Sequence, residues 1–191
     1  MKAIAISFGL ILLLYCFRYK LPIIGPFLIK RYYNYGGYDK DVQKICEKAI
    51  RYFSNIPVQE NSLIIFDVDD TAIYNLRFRA KTDLIKPKTV AIVPVLKLYK
   101  YLVKRGFKII FLTSRDFCQD TKKELIEAGY TKFEDLICMT EFDDDQTATW
   151  KASKRKEISE KYVIVGSIAD RERDFFDNDN GHKVKLPNYL Y

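Results

Sequence analysis

The chain has 191 residues, 48% of them hydrophobic, and carries 32 Lys and Arg against 25 Asp and Glu for a formal net charge of +7. That is enough chain for one good core and too little for two, and with His182 as its one histidine it excludes a histidine-based catalytic site. Residues 1–60 hold nine basic side chains against four acidic ones, which accounts for +5 of the +7 and leaves the body of the chain without the basic patch a nucleic-acid partner requires.

The excess charge flags the N-terminal region. Met1-Lys2 is followed by an apolar run from Ala3 to Phe17, closed by Arg18 and Lys20. Fifteen residues give a helix of about 22 Å, short of the roughly 30 Å hydrocarbon core, and within the length of a signal-peptide apolar region. No small-x-small cleavage site follows. Tyr15, Phe17 and Tyr19 suit an interfacial aromatic anchor, and Arg18 and Lys20 can snorkel to lengthen the span. Leu21 to Ile29, broken by Pro22, Gly25 and Pro26, suits the membrane interface. Residues 1–31 are therefore expected to be an uncleaved membrane anchor, with a cleaved export signal as the alternative. Only Lys2 and the amino terminus precede the run, whereas Arg18, Lys20, Lys30 and Arg31 follow it, which favours a cytoplasmic face for what comes after. Cys16, Cys46, Cys118 and Cys138 follow no metal or disulfide spacing, which adds to that side of the argument. Tyr32-Tyr33-Asn34-Tyr35-Gly36-Gly37 reads as a linker, so the folded domain is expected over 38–191.

Within that domain, Asp39 is placed to cap a helix whose apolar face is Val42, Ile45, Cys46, Ala49, Ile50 and Phe53. Leu63-Ile64-Ile65-Phe66 is a buried strand that ends on Asp67-Val68-Asp69-Asp70-Thr71. A short insertion follows Asn75. Then comes a helix from Val90 to Lys104, with Pro94 harmless near its first turn and Val93, Leu96 and Val103 facing in. A second strand, Lys108 to Leu112, ends on Thr113-Ser114-Arg115; a helix from Gln119 to Ala128 stops at Gly129. Leu136 to Met139 is a further strand, and Asp143-Asp144-Asp145, lacking the ligand spacing of a calcium loop, is a solvated loop. Lys151 opens a charged helix, and the strand Tyr162 to Gly166 runs towards Asp170-Arg171-Glu172-Arg173-Asp174. This alternation predicts an α/β fold: a Rossmann-like parallel sheet with helices on both faces and right-handed crossovers.

Carboxylates at Asp67 and Asp69 lie beyond a strand end, where open α/β sheets bind ligands. Acidic side chains crowded there repel one another unless they share a cation or a proton, and Mg²⁺ suits hard oxygen ligands while keeping room for waters and a phosphate. Hydroxyls at the end of the next strand can hold a phosphoryl oxygen. With Lys151 and Asp170-x-x-x-Asp174 downstream, the whole order of motifs resembles the haloacid dehalogenase (HAD) superfamily, specifically the subfamily IIIB acid phosphatases and plant vegetative storage proteins. Asp67 to Thr71 matches that family's DxDDT, Phe111 to Asp116 its second motif and Trp150 to Arg155 its third. Asp170 to Asp174 matches its fourth, with Ala169 in place of the usual Gly, and Lys185-Leu186-Pro187-Asn188 is a further family-like tag.

The resemblance implies a HAD-like fold with a small cap insertion and a Mg²⁺-dependent phosphomonoester hydrolase working through an aspartyl-phosphate. In that reading Asp67 is the nucleophile and Asp69 the proton donor and acceptor. Thr113, Ser114 and Lys151 hold the phosphoryl oxygens. The metal is held by Asp67, Asp170 and the main-chain carbonyl of Asp69, with Asp174 as a further ligand or its support. Storage or binding without strong catalysis, and phosphotransfer to an alcohol, are the alternatives.

Overall fold

The computed structural model describes residues 28–29, 31–33, 35–74, 90–140, 145–176 and 181–189, and among these residues five strands, all parallel, make one sheet. The strands are β1 (Ser62–Phe66), β2 (Lys108–Thr113), β3 (Asp135–Cys138), β4 (Val163–Ala169) and β5 (His182–Lys185), in the order β3-β2-β1-β4-β5. The main helices among the described residues are α1 (Gly37–Ser54), α2 (Val93–Arg105), α3 (Cys118–Glu127) and α4 (Thr147–Ser159), with a 3-10 turn over Glu172–Phe175. Described residues up to Lys40, with Tyr189, form one unit and Asp41–Asn188 another.

Period-two alternation in the central strands sorts their side chains onto two apolar faces. Leu63 and Ile65 of β1 and Ile110 and Leu112 of β2 pack with Ile158 and Trp150 of α4. On the opposite face, Phe66 and Phe111 meet Tyr99 of α2. Helices therefore cover both faces, as the βαβ pattern requires. The chain steps outward from β1 to β2 to β3, then returns to lay β4 on the other side of β1. This reversal opens a crevice at the carboxyl ends of β1 and β4.

Helix ends follow local chemistry. Pro94 sits in the first turn of α2, and Gly106 ends it at φ 95°, its N–H reaching back to Leu102 and Val103. Gly166, inside β4, is required by close approach: a Cβ there would lie 2.6 Å from the Phe53 ring of α1. His182 stacks on Tyr52 with ring centroids 3.6 Å apart, a packing role in keeping with its isolation in the sequence.

Five expectations need correction. Val93 is 56% exposed and Leu96 and Val103 are only half-buried, so the buried face of α2 is Val95, Leu98, Tyr99 and Leu102 instead. Tyr32 to Gly37 is no plain linker: residues 31–33 are helical, and the rings of Tyr32 and Tyr33 pack with Tyr38 and with Tyr189. Ring packing among these tyrosines stabilises the segment despite the two glycines that follow. Asp39 lies in the first turn of α1 rather than at its cap. Lys151 sits one turn inside α4, which starts at Thr147. Most importantly, Cys118 and Cys138 form a disulfide, which removes the cysteine argument for a reducing compartment. The bridge ties the start of α3 to the end of β3. The expected anchor, apart from a few residues at its end, the cap insertion and most of the Asp143-Asp144-Asp145 loop lie outside the described residues. Among the described residues, no helix is long and apolar enough to cross a membrane.

Candidate active site

Asp67 continues β1 by one residue, its N–H donating to the Ile168 carbonyl of β4 at 2.9 Å. The next residues close a tight loop: the Ala72 and Ile73 N–H groups donate to Val68, and the Asp70 N–H to Ile73. Asp70 has φ 52°, a left-handed conformation that Asp tolerates better than bulkier side chains. The loop is pinned from below by the buried Tyr130 hydroxyl, which donates to the Ala72 carbonyl at 2.8 Å. The Tyr74 N–H donates to the Val90 carbonyl, which holds these two residues together.

Around this loop three buried acids converge. Asp67, Asp170 and Asp174 each bring a carboxylate oxygen within 4.8 Å of the others. Asp170 follows the end of β4, and Asp174 is carried by the 3-10 turn beyond it. Lys151, buried in α4, donates to Asp67 Oδ1 at 2.6 Å and to Asp174 Oδ1 at 2.7 Å. One turn along the helix, Arg155 donates to the Asp174 carbonyl. Asp170 is oriented by the Thr71 hydroxyl at 3.4 Å and by the Asn188 amide. Asn188 is the last residue of the family-like tag, and its role becomes visible only when β5 returns the chain to the crevice.

The electrostatics of this cluster are under tension. Burial pushes the Asp67 carboxyl up to about 7, against the pull of Lys151 and with further repulsion from Asp174 and Asp170. Burial, then Asp70 and Asp174, push Asp170 up to about 6 despite the Asn188 amide. Burial works to lower the Lys151 pKa, but Asp67 and Asp174 outweigh it and hold the ammonium above the ordinary lysine range. Three crowded carboxylates with one buried ammonium are short of positive charge, and their oxygen-only donor set fits a hard divalent cation.

Both shifts are upward from 3.8, so the metal-free folded protein keeps protons that the unfolded chain has already released. This contribution is present at acid pH and is lost as pH rises from about 4 through about 7. The melting temperature of metal-free protein is expected to carry that loss, and any gain in melting temperature on adding a divalent cation to grow over the same window. A cation-induced gain independent of pH would contradict the arrangement.

The remaining expected residues divide. Thr113 is fully buried at the end of β2, beside β1, and its hydroxyl accepts the Arg115 N–H at 3.3 Å. Ser114 is half-buried next to it. The Asp69 side chain stays out of the three-acid cluster and pairs with Arg115, leaving its main-chain carbonyl as the expected metal contact. Sequence reading gave no role to Arg115, Thr71 or Arg155. The available signal for Arg115 was its position, two residues beyond the Thr113 that ends the strand.

A parallel sheet whose switch point gathers carboxylates around a buried lysine defines a HAD-like α/β protein built to handle a phosphoryl group. The chain belongs to the HAD superfamily, subfamily IIIB (acid phosphatase), whose family model matches residues 27–191, and it is a phosphatase. It is 28% identical over 184 residues to "Acid phosphatase 1" of Solanum lycopersicum, covering 85% of this chain and 72% of the tomato protein. It is 30% identical over 183 residues to the "Stem 28 kDa glycoprotein" of Glycine max, with the same coverage of 85% and 72%. The fold is similar to that of the class C acid phosphatase from Bacillus anthracis, solved with tungstate bound. That match has a TM-score of 0.67 and 18% identity over 88% of this chain and 86% of the other.

Proposed function

We propose that the protein hydrolyses phosphate monoesters with Mg²⁺ through an aspartyl-phosphate on Asp67. The observation that carries this reading is the contact of a buried Lys151 ammonium with Asp67 inside the three-acid cluster, because it pairs a nucleophile with the charge a phosphate needs. Asp67, Asp170 and Asp174 would hold the metal, which when bound would neutralise phosphoryl charge.

An Asp67 oxygen attacks phosphorus as the bond to the ester oxygen breaks, and Asp69 gives that oxygen its proton. Water then attacks the acylphosphate phosphorus and loses its proton to Asp69, which releases phosphate and regenerates Asp67. Two displacements with a carboxylate nucleophile replace one difficult direct hydrolysis. Lys151 stays charged throughout and holds phosphoryl oxygens in line, so the protein's part is mostly positioning and electrostatics.

The test is phosphate release by full-length protein from a panel of aryl, alkyl and nucleoside monophosphates. Activity is expected with Mg²⁺, loss on chelation and recovery on adding Mg²⁺ back. Activity unaffected by exhaustive chelation would remove the metal from the reading. Release of ester rather than free phosphate in the presence of an added alcohol would turn it into phosphotransfer.

A further inference from the structure

Arg115 is the most fully engaged side chain at the crevice outside the three-acid cluster. Its Nε donates to Asp69 Oδ2 at 2.8 Å and its Nη2 to Asp69 Oδ1 at 2.7 Å, a planar fork laid on a planar carboxylate. Its Nη1 donates to Glu124 Oε2 at 2.6 Å and to the Thr121 hydroxyl at 3.4 Å, both on α3. The Phe117 ring lies 5.4 Å from the guanidinium carbon. Exposed ion pairs contribute little, but this guanidinium is only 12% exposed and bonded through all three nitrogens.

Asp69 sits in a loop with its side chain 29% exposed, a setting in which a carboxylate left to itself samples several rotamers. Proton transfer tolerates little misplacement, since small errors in position cost orders of magnitude in rate. The fork selects one orientation and, because a carboxylate offers about four lone-pair sites, leaves each oxygen able to reach a further group. Glu124 matters because it fixes the far side of the guanidinium to a helix.

From this geometry we infer that Arg115, braced by Glu124, is a positioning residue that sets the Asp69 carboxylate for proton transfer to and from the ester oxygen and water. The inference rests on the reaction proposed above. Its guanidinium nitrogens are committed to protein groups, which distinguishes it from a group that binds the substrate phosphate.

A good leaving group needs little protonation, whereas an alkoxide needs much, so the choice of ester separates this role from a merely structural one. Full-length wild type, Arg115→Ala, Arg115→Lys, Asp69→Asn and Arg115→Ala/Asp69→Asn are compared on 4-nitrophenyl phosphate and ethyl phosphate with Mg²⁺. Arg115→Ala is expected to lose at least about tenfold more kcat/KM on ethyl phosphate than on the nitrophenyl ester, within the span general acid catalysis contributes. This ratio reports the step that breaks the ester bond, whereas kcat also contains hydrolysis of the acylphosphate common to both esters. Arg115→Lys, a charge without the fork, should recover only part of the loss. The double variant should be no slower on ethyl phosphate than Asp69→Asn, because the two residues act as one unit.

Equal losses of kcat/KM on both esters, or multiplicative losses in the double variant, would overturn the assignment. If Arg115→Ala does not fold, Glu124→Gln carries the same test, with the same ester bias at smaller size expected and its absence counting against the role. Asp67→Asn distinguishes the levels. An active Asp67→Asn removes the reaction itself; an inactive one beside an unbiased Arg115→Ala removes only the role of Arg115.

Discussion

Asp67→Asn is expected to abolish turnover of phosphate monoesters while leaving the protein folded. The replacement is close to isosteric, so the backbone bond from residue 67 to Ile168 and the packing of β1 remain available. What it removes is the charged oxygen proposed to attack phosphorus and one of the three carboxylates gathered within 4.8 Å. Lys151 keeps its bond to Asp174, so its ammonium is not left without an anion. Loss of one member of a repelling set does not weaken the metal-free fold, because burial pushes the Asp67 carboxyl up to about 7 and its charge there works against folding. Circular dichroism should therefore match wild type and melting in the absence of metal should be no lower, while kcat falls by many orders. Turnover within about tenfold of wild type, measured on the same ester, would sink the assigned nucleophile.

What the sequence made legible was whatever lies close together along the chain. The strand Leu63 to Phe66 and its acidic continuation, and the strand ending on Thr113, can be read directly because apolar runs stop where polar side chains start. Both faces of helices over one parallel sheet follow from the alternation of elements. The disulfide was hidden for a reason of register. Cys118 lies five residues past Thr113, and Thr113 pairs with Cys138 only once β2 and β3 align, which spacing in the sequence does not reveal. The same holds for Asn188 on Asp170 and for Arg115 on Asp69, contacts made across 18 and 46 positions by chain returns. Lys151 was placed at a helix start because the polar stretch before it obscures the onset of α4. Its position one turn inside that helix is what lets it reach inwards and be buried.

That burial sets up the second large effect. Lys151→Ala is expected to lower kcat by two or more decades, since one group that stabilises developing oxyanion charge is often worth about 2.7–4 kcal/mol. The structure gives a reason for the size. The ammonium is 3% exposed and contacts both Asp67 and Asp174, so its charge acts in a site that excludes water. Without it, a phosphate dianion would approach three carboxylates balanced by the metal alone. The variant should also depend more steeply on Mg²⁺, because the cation must then offset charge that two groups shared. Lys151→Arg should recover only part of the rate: a planar fork needs more room than a compact ammonium and presents its donors in fixed directions. The neighbouring Lys154 is no substitute, since it pairs with Glu157 three residues along the same helix. Near-normal hydrolysis by Lys151→Ala, measured at saturating Mg²⁺ and substrate, would show that the buried ammonium serves the fold and not the phosphate.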